Sequence, residues 1–129
     1  MTDAGSASAP HFPQAAPIDA YGNGGFRFAG LSHQGSLLCL PDGIWAWSVT
    51  APQDVNEQTL RYVLARSNEI DTLIVGTGRM VWRPPAWLRE AFRKRQITID
   101  AMQTGPAIRV YNIMVGERRR VAAALIAVA

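Results

Sequence analysis

The amino-acid sequence predicts an α/β fold built on a mixed β-sheet, and two observations support this prediction. After about residue 50, apolar runs with strand character alternate with segments of helical periodicity. That alternation is typical of β-α-β crossovers, which cover a sheet with helices. The first third instead holds short β segments separated by tight-turn sequences. It therefore predicts an antiparallel β-meander at the N-terminal side of the fold.

The 129 residues have the length of one domain. Residues 1–17 are rich in small residues and proline and lack apolar periodicity, so we predict a flexible tail there and a single α/β domain over 18–129. The longest apolar run, 121–129, is too short to span a membrane. The single cysteine, Cys39, excludes an internal disulfide. Neither a signal peptide nor an arginine-rich presequence is recognisable, and these features predict a bacterial cytoplasmic protein.

In the first third, strands are predicted over residues 18–21, 26–28, 36–40 and 44–49. An Asn-Gly-Gly turn joins the first pair of strands, and a Pro-Asp-Gly turn joins the last pair. Proline presets φ for such a turn, and the following residues tolerate positive φ. The final strand carries apolar residues on both faces, so we expect it to be covered on both sides.

The remaining two thirds contain the alternating elements. Asp54 and Glu57 have the spacing of a capping box, which predicts a helix that begins there and ends near residue 67. Five further elements are predicted after this helix: a buried strand at 71–75, a helix opening at Pro84-Pro85, a strand at 97–102, a helix from Thr104 to about Val115, and a strand at 121–128.

Catalysis finds little support in the sequence. The two histidines, His11 and His33, form no Cys/His cluster with metal-ligand spacing. We therefore predict no catalytic residue, no metal and no cofactor, although an enzyme is not ruled out by sequence. Cys39 lies in an apolar strand, and we expect a buried, unreactive thiol.

The best candidate surface follows from topology. Ligands of open α/β sheets bind beyond the carboxyl ends of parallel strands, and the loops 76–79 (Gly-Thr-Gly-Arg) and 104–106 (Thr-Gly-Pro) leave two such ends. If their strands are neighbours, the loops line one cleft where a helix amino terminus and the forked donors of Arg79 and Arg109 favour an anion. The alternative is structural: the glycines make tight turns and Thr104 caps its helix.

The stretch from residue 79 to 95 mixes basic residues with Trp82 and Trp87. Such a mixture can bind nucleic acid through phosphates and stacking. The same pattern is typical of an ordinary surface helix with apolar residues inward and charges outward, on which Glu90 is placed to pair with Lys94. We favour the surface helix, so nucleic acid is disfavoured as a partner.

Several short motifs in the last half of the chain occur together. They are Gly-Thr-Gly at 76–78, Met102 followed by Thr104-Gly105, Arg109 followed by Tyr111-Asn112, and Arg-Arg-Val-Ala-Ala-Ala-Leu at 119–125. With this spacing the chain, over about residues 17–129, closely resembles the domain-of-unknown-function 498 family. That family includes assembly factor 3 of mitochondrial respiratory complex I.

The sequence departs from the family pattern at four positions. Gln103 replaces an acidic residue, Ile108 a frequent cysteine, Val110 a threonine, and Arg118 a glycine that often ends the helix. Without the cysteine, a thiol mechanism is less credible here, and the cleft is more apolar.

The resemblance implies a three-layer α/β fold around a mixed sheet and provides no enzymatic activity to transfer. It also implies a non-catalytic interaction or assembly domain that assists assembly of a membrane-associated, respiratory-type complex. The expected partner is an unidentified protein, such as a subunit of that membrane complex; no oligomeric state is predicted. The expected contact face comprises Gly76, Thr77, Gly78, Arg79, Thr104, Gly105, Arg109, Tyr111 and Asn112.

Two questions stay open at this point. Arg109, Tyr111 and Asn112 could touch a partner or position the loops, or the last two could simply satisfy buried loop carbonyls. The second functional hypothesis is a small-molecule or anion-binding protein, or a cryptic enzyme, that uses the cleft between 76–79 and 104–109.

Overall fold

The computed structural model describes residues 9–129. The strands in this range form a five-stranded mixed sheet, in the order β5-β4-β8-β6-β7, and a three-stranded antiparallel sheet, in the order β1-β2-β3. The elements are β1 (Ala20–Gly22), β2 (Gly25–Phe28), β3 (Leu31–Gln34), β4 (Ser36–Leu40), β5 (Gly43–Trp47), α1 (Arg61–Leu64), β6 (Thr72–Gly76), α2 (Ala86–Arg93), β7 (Thr98–Met102), α3 (Thr104–Gly116) and β8 (Val121–Leu125). The predicted α/β class with a mixed sheet and N-terminal antiparallel strands is confirmed.

The centre of the large sheet is β8, which pairs antiparallel with β4 and parallel with β6. All five residues of β8 are buried, and three of them are alanines. Small side chains at the centre of a sheet let the layers on both faces approach closely. The parallel pair β6 and β7 stands at one side of β8, so the carboxyl ends of β6 and β7 meet at the same edge of the sheet.

Two apolar cores lie on opposite faces of this sheet, because side chains alternate along each strand. Leu73 of β6 belongs to the core that also contains Leu88 and Phe92 of α2. Its neighbour Ile74 belongs to the second core, which contains Phe26 and Phe28 of β2 and Tyr111 of α3. The layer that covers this second face therefore consists of α3 and the small antiparallel sheet.

The predicted capping box at Asp54 and Glu57 is wrong. Pro52 opens a short 3₁₀ helix, Pro52–Asp54, and α1 begins only at Arg61, without a side-chain cap. The reciprocal pair is instead Asn56 and Thr59: each backbone N–H donates to the other's side-chain oxygen at 3.0 Å. The strand β3 was not predicted, because Leu-Ser-His-Gln lacks apolar alternation.

Helix α3 ends in a Schellman motif whose left-handed residue is Arg118. The Arg118 N–H donates to Val115 O, the Arg119 N–H donates to Met114 O, and Arg118 has a φ of +59°. This conformation strains any side chain with a Cβ, which explains why glycine suits the position.

Replacing Arg118 with glycine is expected to raise the free energy of unfolding by about 1 kcal/mol, because the left-handed strain disappears. Urea unfolding followed by circular dichroism measures the change. Glu117→Gly provides the matched control: Glu117 has a φ of −87°, so glycine there should destabilise the protein. A stabilisation of equal size in both variants would contradict this account.

The predicted flexible tail, residues 1–17, lies partly outside the described residues, since these begin at residue 9. Within 9–17, Phe12 forms a bridge with Ile44 on β5: Ile44 N–H donates to Phe12 O at 2.9 Å, and His11 N–H donates to Ile44 O at 2.8 Å. We call residues 10–18 the N-terminal strap. It covers part of the β5 edge, which would otherwise be open to pairing with other chains. The domain boundary at residue 18 stays a prediction.

Candidate functional site

The carboxyl ends of β6 and β7 come together, and the loops that follow them are joined by hydrogen bonds. Thr77 N–H donates to Met102 O at 2.8 Å, and Thr104 N–H donates to Gly78 O at 3.0 Å. The Thr77 hydroxyl donates to Met80 O at 2.5 Å. We call residues 76–78 and 102–105 the loop junction.

The Thr104 hydroxyl is the centre of the loop junction. It accepts the Gly78 N–H at 2.9 Å and donates to Ile126 O at 2.7 Å. Thr104 is fully buried, so its hydroxyl has no water to replace either partner. One side chain therefore ties together the loop after β6, the start of α3 and the segment after β8. The predicted helix-capping role is wrong, since Gln103 is the cap residue and no side chain caps α3.

The glycines of the loop junction are required by its tightness. A Cβ on Gly76 would lie 3.0 Å from both Thr104 Oγ1 and Leu125 Cδ2, and 3.1 Å from Thr104 Cα. Gly78 has a φ of +73°, in the left-handed region. The Gly-Thr-Gly sequence thus lets two loops close on each other.

This closure buries the loop residues that were predicted to bind an anion. Thr77, Gly78, Thr104 and Gly105 are all buried. At the start of α3, the Thr104 N–H is already donated to Gly78 O, and Pro106 has no N–H. The Gly105 backbone is covered by the side chain of Tyr21, whose hydroxyl occupies the place of a Cβ. The helix amino terminus therefore offers an anion at most one amide.

The two predicted arginines remain exposed. Arg79 donates from Nη2 to Ala129 O at 3.0 Å, and its own carbonyl accepts from Gln103 Nε2 at 3.0 Å. The side-chain amide of Gln103 is the donor in this bond. An ionised acidic side chain, which the family pattern has at this position, could not donate it. Arg109 is exposed on α3, one turn before the exposed Ile113.

Tyr111 and Asn112 hold the N-terminal strap. Asn112 Nδ2 donates to Ile18 O and Asn112 Oδ1 accepts the Ile18 N–H, both at 2.8 Å. The Tyr111 hydroxyl donates to Ala16 O at 3.2 Å. Tyr111 is buried and Asn112 is half-buried, so these side chains satisfy backbone groups of the strap.

Cys39 is fully buried beside Tyr111. Burial raises the pKa of the Cys39 thiol to about 12, and the neighbouring Tyr111 hydroxyl only partly offsets this shift. Burial also raises the pKa of Tyr111, and the neighbouring Cys39 adds to that rise. Both groups are therefore protonated at neutral pH, and neither is a nucleophile.

Cys39 in the folded protein is expected to react with iodoacetamide slower by about two orders of magnitude or more than in urea, because the thiolate is the reactive form. Mass spectrometry of timed samples at pH 8 measures both rates. Equal rates in the two states would show that the thiol is accessible.

The sequence prediction missed a group of exposed apolar residues. Val81 is 92% exposed, Met80 58% and Trp87 56%, all next to the basic residues of 79–95. Glu90 pairs with Arg93 rather than with Lys94: its two oxygens accept from Arg93 Nε and Nη2 at 2.8 and 2.6 Å. The sequence feature that could have indicated the exposed apolar group was the run Met-Val-Trp at 80–82.

Within residues 9–129, no three His, Cys, Asp or Glu side chains are placed to hold a metal ion. The longest helix in that range, α3, has 13 residues, which is too short to span a bilayer.

Together these features define a mixed α/β domain in which the Gly-Thr-Gly loop is held by hydrogen bonds to the start of α3. The model of a family described as "Protein of unknown function (DUF498/DUF598)" matches residues 18–126, and the chain belongs to this family.

The similar proteins include an assembly factor and two solved bacterial structures. Assembly factor 3 of the NADH dehydrogenase [ubiquinone] 1 alpha subcomplex from Mus musculus is 32% identical over 115 residues, which are 89% of this chain and 62% of that protein. The chain thus spans less than two thirds of that relative. A protein of Rhodopseudomonas palustris is 63% identical, with a TM-score of 0.82 over 94% of this chain and 90% of its own. A chain described as an outer membrane protein from Bartonella henselae is 46% identical, with a TM-score of 0.88 over 92% of this chain and 100% of its own.

Proposed function

We propose that this protein is a non-catalytic assembly factor that assists assembly of a membrane-associated, respiratory-type complex by binding one of its subunits. The observation that carries the proposal is its similarity to proteins named as complex I assembly factors. The mouse and human proteins of that name are 32% and 31% identical over 89% and 88% of this chain. The family match over residues 18–126 includes the whole of the loop junction. A cytoplasmic location in a bacterium stays a prediction.

The chemistry of the loop junction agrees with a role in binding rather than in catalysis. Its two threonine hydroxyls hydrogen-bond to backbone groups of the protein itself, so they are not free to activate a substrate. The alternative function, a small-molecule or anion-binding protein or a cryptic enzyme at this cleft, would need the same groups.

Within the predicted contact face, the exposed part is the portion that a partner can reach. Arg109 and Ile113 stand one turn apart on the exposed side of α3. Arginine is one of the residue types enriched among interface hot spots. We assign the contact to this side of α3, whereas Tyr111 and Asn112 position the strap.

The test is deletion of the gene in the organism that carries it, followed by native gel electrophoresis of solubilised membranes. We expect the amount of the assembled respiratory NADH dehydrogenase to fall, and the wild-type chain to restore it. The Arg109→Glu/Ile113→Ser variant should not restore it. Arg27→Glu/Leu31→Ser provides the control, since it changes one exposed arginine and one exposed apolar residue elsewhere.

An unchanged amount of the complex after deletion would refute the proposal. A thermal-shift screen with nucleotides and phosphorylated metabolites then tests the alternative. A ligand present at one hundred times its Kd should stabilise the protein by about 2.7 kcal/mol, and Arg79→Ala should weaken that ligand if it occupies the predicted cleft.

A further inference from the structure

The positive charge of the chain is concentrated in one segment, residues 79–95. This segment has six basic residues and one acidic residue, whereas the rest of the chain has seven basic and nine acidic residues. The net charge of +3 therefore arises from a strongly basic segment attached to a slightly acidic body. We call the exposed side chains of residues 79–95 the basic surface.

The basic surface contains a groove with uncompensated charge. The groove has a volume of about 450 Å³ and is lined by Arg83, Pro84, Ala86, Arg89, Glu90 and Arg93. Both carboxylate oxygens of Glu90 accept hydrogen bonds from Arg93, with which Glu90 forms an ion pair. Within residues 9–129, the guanidinium groups of Arg83 and Arg89 make no hydrogen bond or ion pair with any other group of the protein. Their two guanidinium groups are free to bind an anion, and the planar fork suits phosphate oxygens.

Large apolar side chains are held out into solvent in the same segment. Val81 is almost fully exposed, and more than half of Met80 and of Trp87 is exposed. Trp82, directly after Val81, packs against the core, and Leu88, directly after Trp87, is fully buried. These two anchors, with the stiff Pro84-Pro85 pair, prevent the exposed residues from folding back onto the protein.

We propose that the basic surface binds the face of an anionic lipid bilayer. Val81, Met80 and Trp87 enter the boundary between headgroups and acyl chains, and Arg83 and Arg89 contact lipid phosphates. Surfaces that combine cations with exposed apolar and tryptophan side chains bind such membranes through apolar burial and electrostatic attraction. Tryptophan suits the boundary because its ring is apolar while its N–H is polar.

The apolar residues distinguish the bilayer from the other anionic partners. Nucleic acid offers phosphates and base faces, but a protruding valine and methionine gain little from either. An acidic protein would need a pocket shaped for Val81, whereas the disordered lipid boundary accepts the side chain without one. This property goes beyond the proposed assembly function and does not rest on it.

The test uses the full chain and vesicles of phosphatidylcholine, with and without phosphatidylglycerol, in a sedimentation assay. We expect binding only to the vesicles that contain phosphatidylglycerol, and we expect it to weaken as salt is added, because salt screens the charges. The assay contains no other protein, so its failure would leave the assembly proposal untouched.

Two variants locate the surface. Arg83→Glu/Arg89→Glu should lower vesicle affinity by about tenfold or more, since each cation near an anionic membrane contributes about 1 kcal/mol. Val81→Ser/Trp87→Ala should lower affinity without any change in net charge. Arg27→Glu/Arg119→Glu is the control, because it changes net charge as much as the first variant at exposed positions outside the segment.

Three outcomes would overturn the proposal. They are absence of wild-type binding to anionic vesicles at low salt, an equal loss of affinity in the control, and full retention of affinity in Val81→Ser/Trp87→Ala. Tight binding of a labelled oligonucleotide or a polyglutamate peptide with no vesicle binding would assign the surface to nucleic acid or to an acidic protein instead.

Discussion

Replacing Thr104 with valine is expected to lower the free energy of unfolding by about 2–6 kcal/mol. Valine has nearly the same shape as threonine, so the packing of the loop junction changes little. The Gly78 N–H and the Ile126 carbonyl, however, both lose their bond to the Thr104 hydroxyl. Each buried group left without a partner costs about 1–3 kcal/mol, and Thr104 is fully buried, so water does not replace the hydroxyl.

Urea unfolding followed by circular dichroism measures this loss, and hydrogen exchange of the Gly78 amide shows where it arises. Thr104→Ser is the matched control, because it keeps the hydroxyl and removes only a methyl group, at about 1 kcal/mol. A valine variant as stable as the serine variant would show that the two hydrogen bonds add nothing to stability. A variant whose Gly78 amide exchanges as slowly as in the wild type would show that the loop junction is closed by other contacts.

The fold could be predicted from sequence because its signals are local. The strands β6 and β8 were predicted from short apolar runs, and α2 and α3 from a proline near the start of a helical pattern. The neighbouring positions of β6 and β7 then bring the two loops together, as the topology argument required. The incorrect helix start was also predicted from a local pattern. The spacing of Asp54 and Glu57 fits a capping box, but Pro52 opens a short 3₁₀ helix there instead.

The role of the candidate site could not be predicted, since it depends on contacts between distant parts of the chain. The Thr104 hydroxyl contacts residues 26 positions before and 22 positions after it. Tyr111 and Asn112 bond to groups 95 and 94 positions away. A sequence motif shows which residue types occur together. The same motif is found whether its threonine hydroxyl binds a ligand or closes a loop, so the motif does not distinguish the two roles.

The exposed apolar residues were missed for a different reason. Helical periodicity separates the buried Leu88 and Phe92 from the charged residues of α2, but it also predicted that apolar residues face inward, whereas Trp87 is exposed. The loop before α2 has no period, so periodicity does not assign Met80, Val81 or Trp82 to the core or to solvent. The structure buries part of Trp82 and exposes the other two. This division is what turns an ordinary basic helix into a candidate membrane-binding surface.

Replacing Asn112 with alanine is expected to release the N-terminal strap and to lower the free energy of unfolding by about 1–3 kcal/mol, because both hydrogen bonds to Ile18 are lost. Asn112→Asp is the graded control: it still accepts the Ile18 N–H but can no longer donate to the Ile18 carbonyl, so a smaller loss is expected. Hydrogen exchange at the Ile18 amide measures the release.

Cys39 provides an independent readout of the same event. Ala16 and Ile18 of the strap lie in the core that contains Cys39 and Tyr111, so release of the strap removes part of the cover over the thiol. If the strap opens by itself, alkylation of Cys39 in Asn112→Ala should accelerate more than the change in global stability accounts for. If the alkylation rate instead follows global unfolding alone, the strap and the domain form one cooperative unit, and the predicted boundary at residue 18 has no energetic meaning.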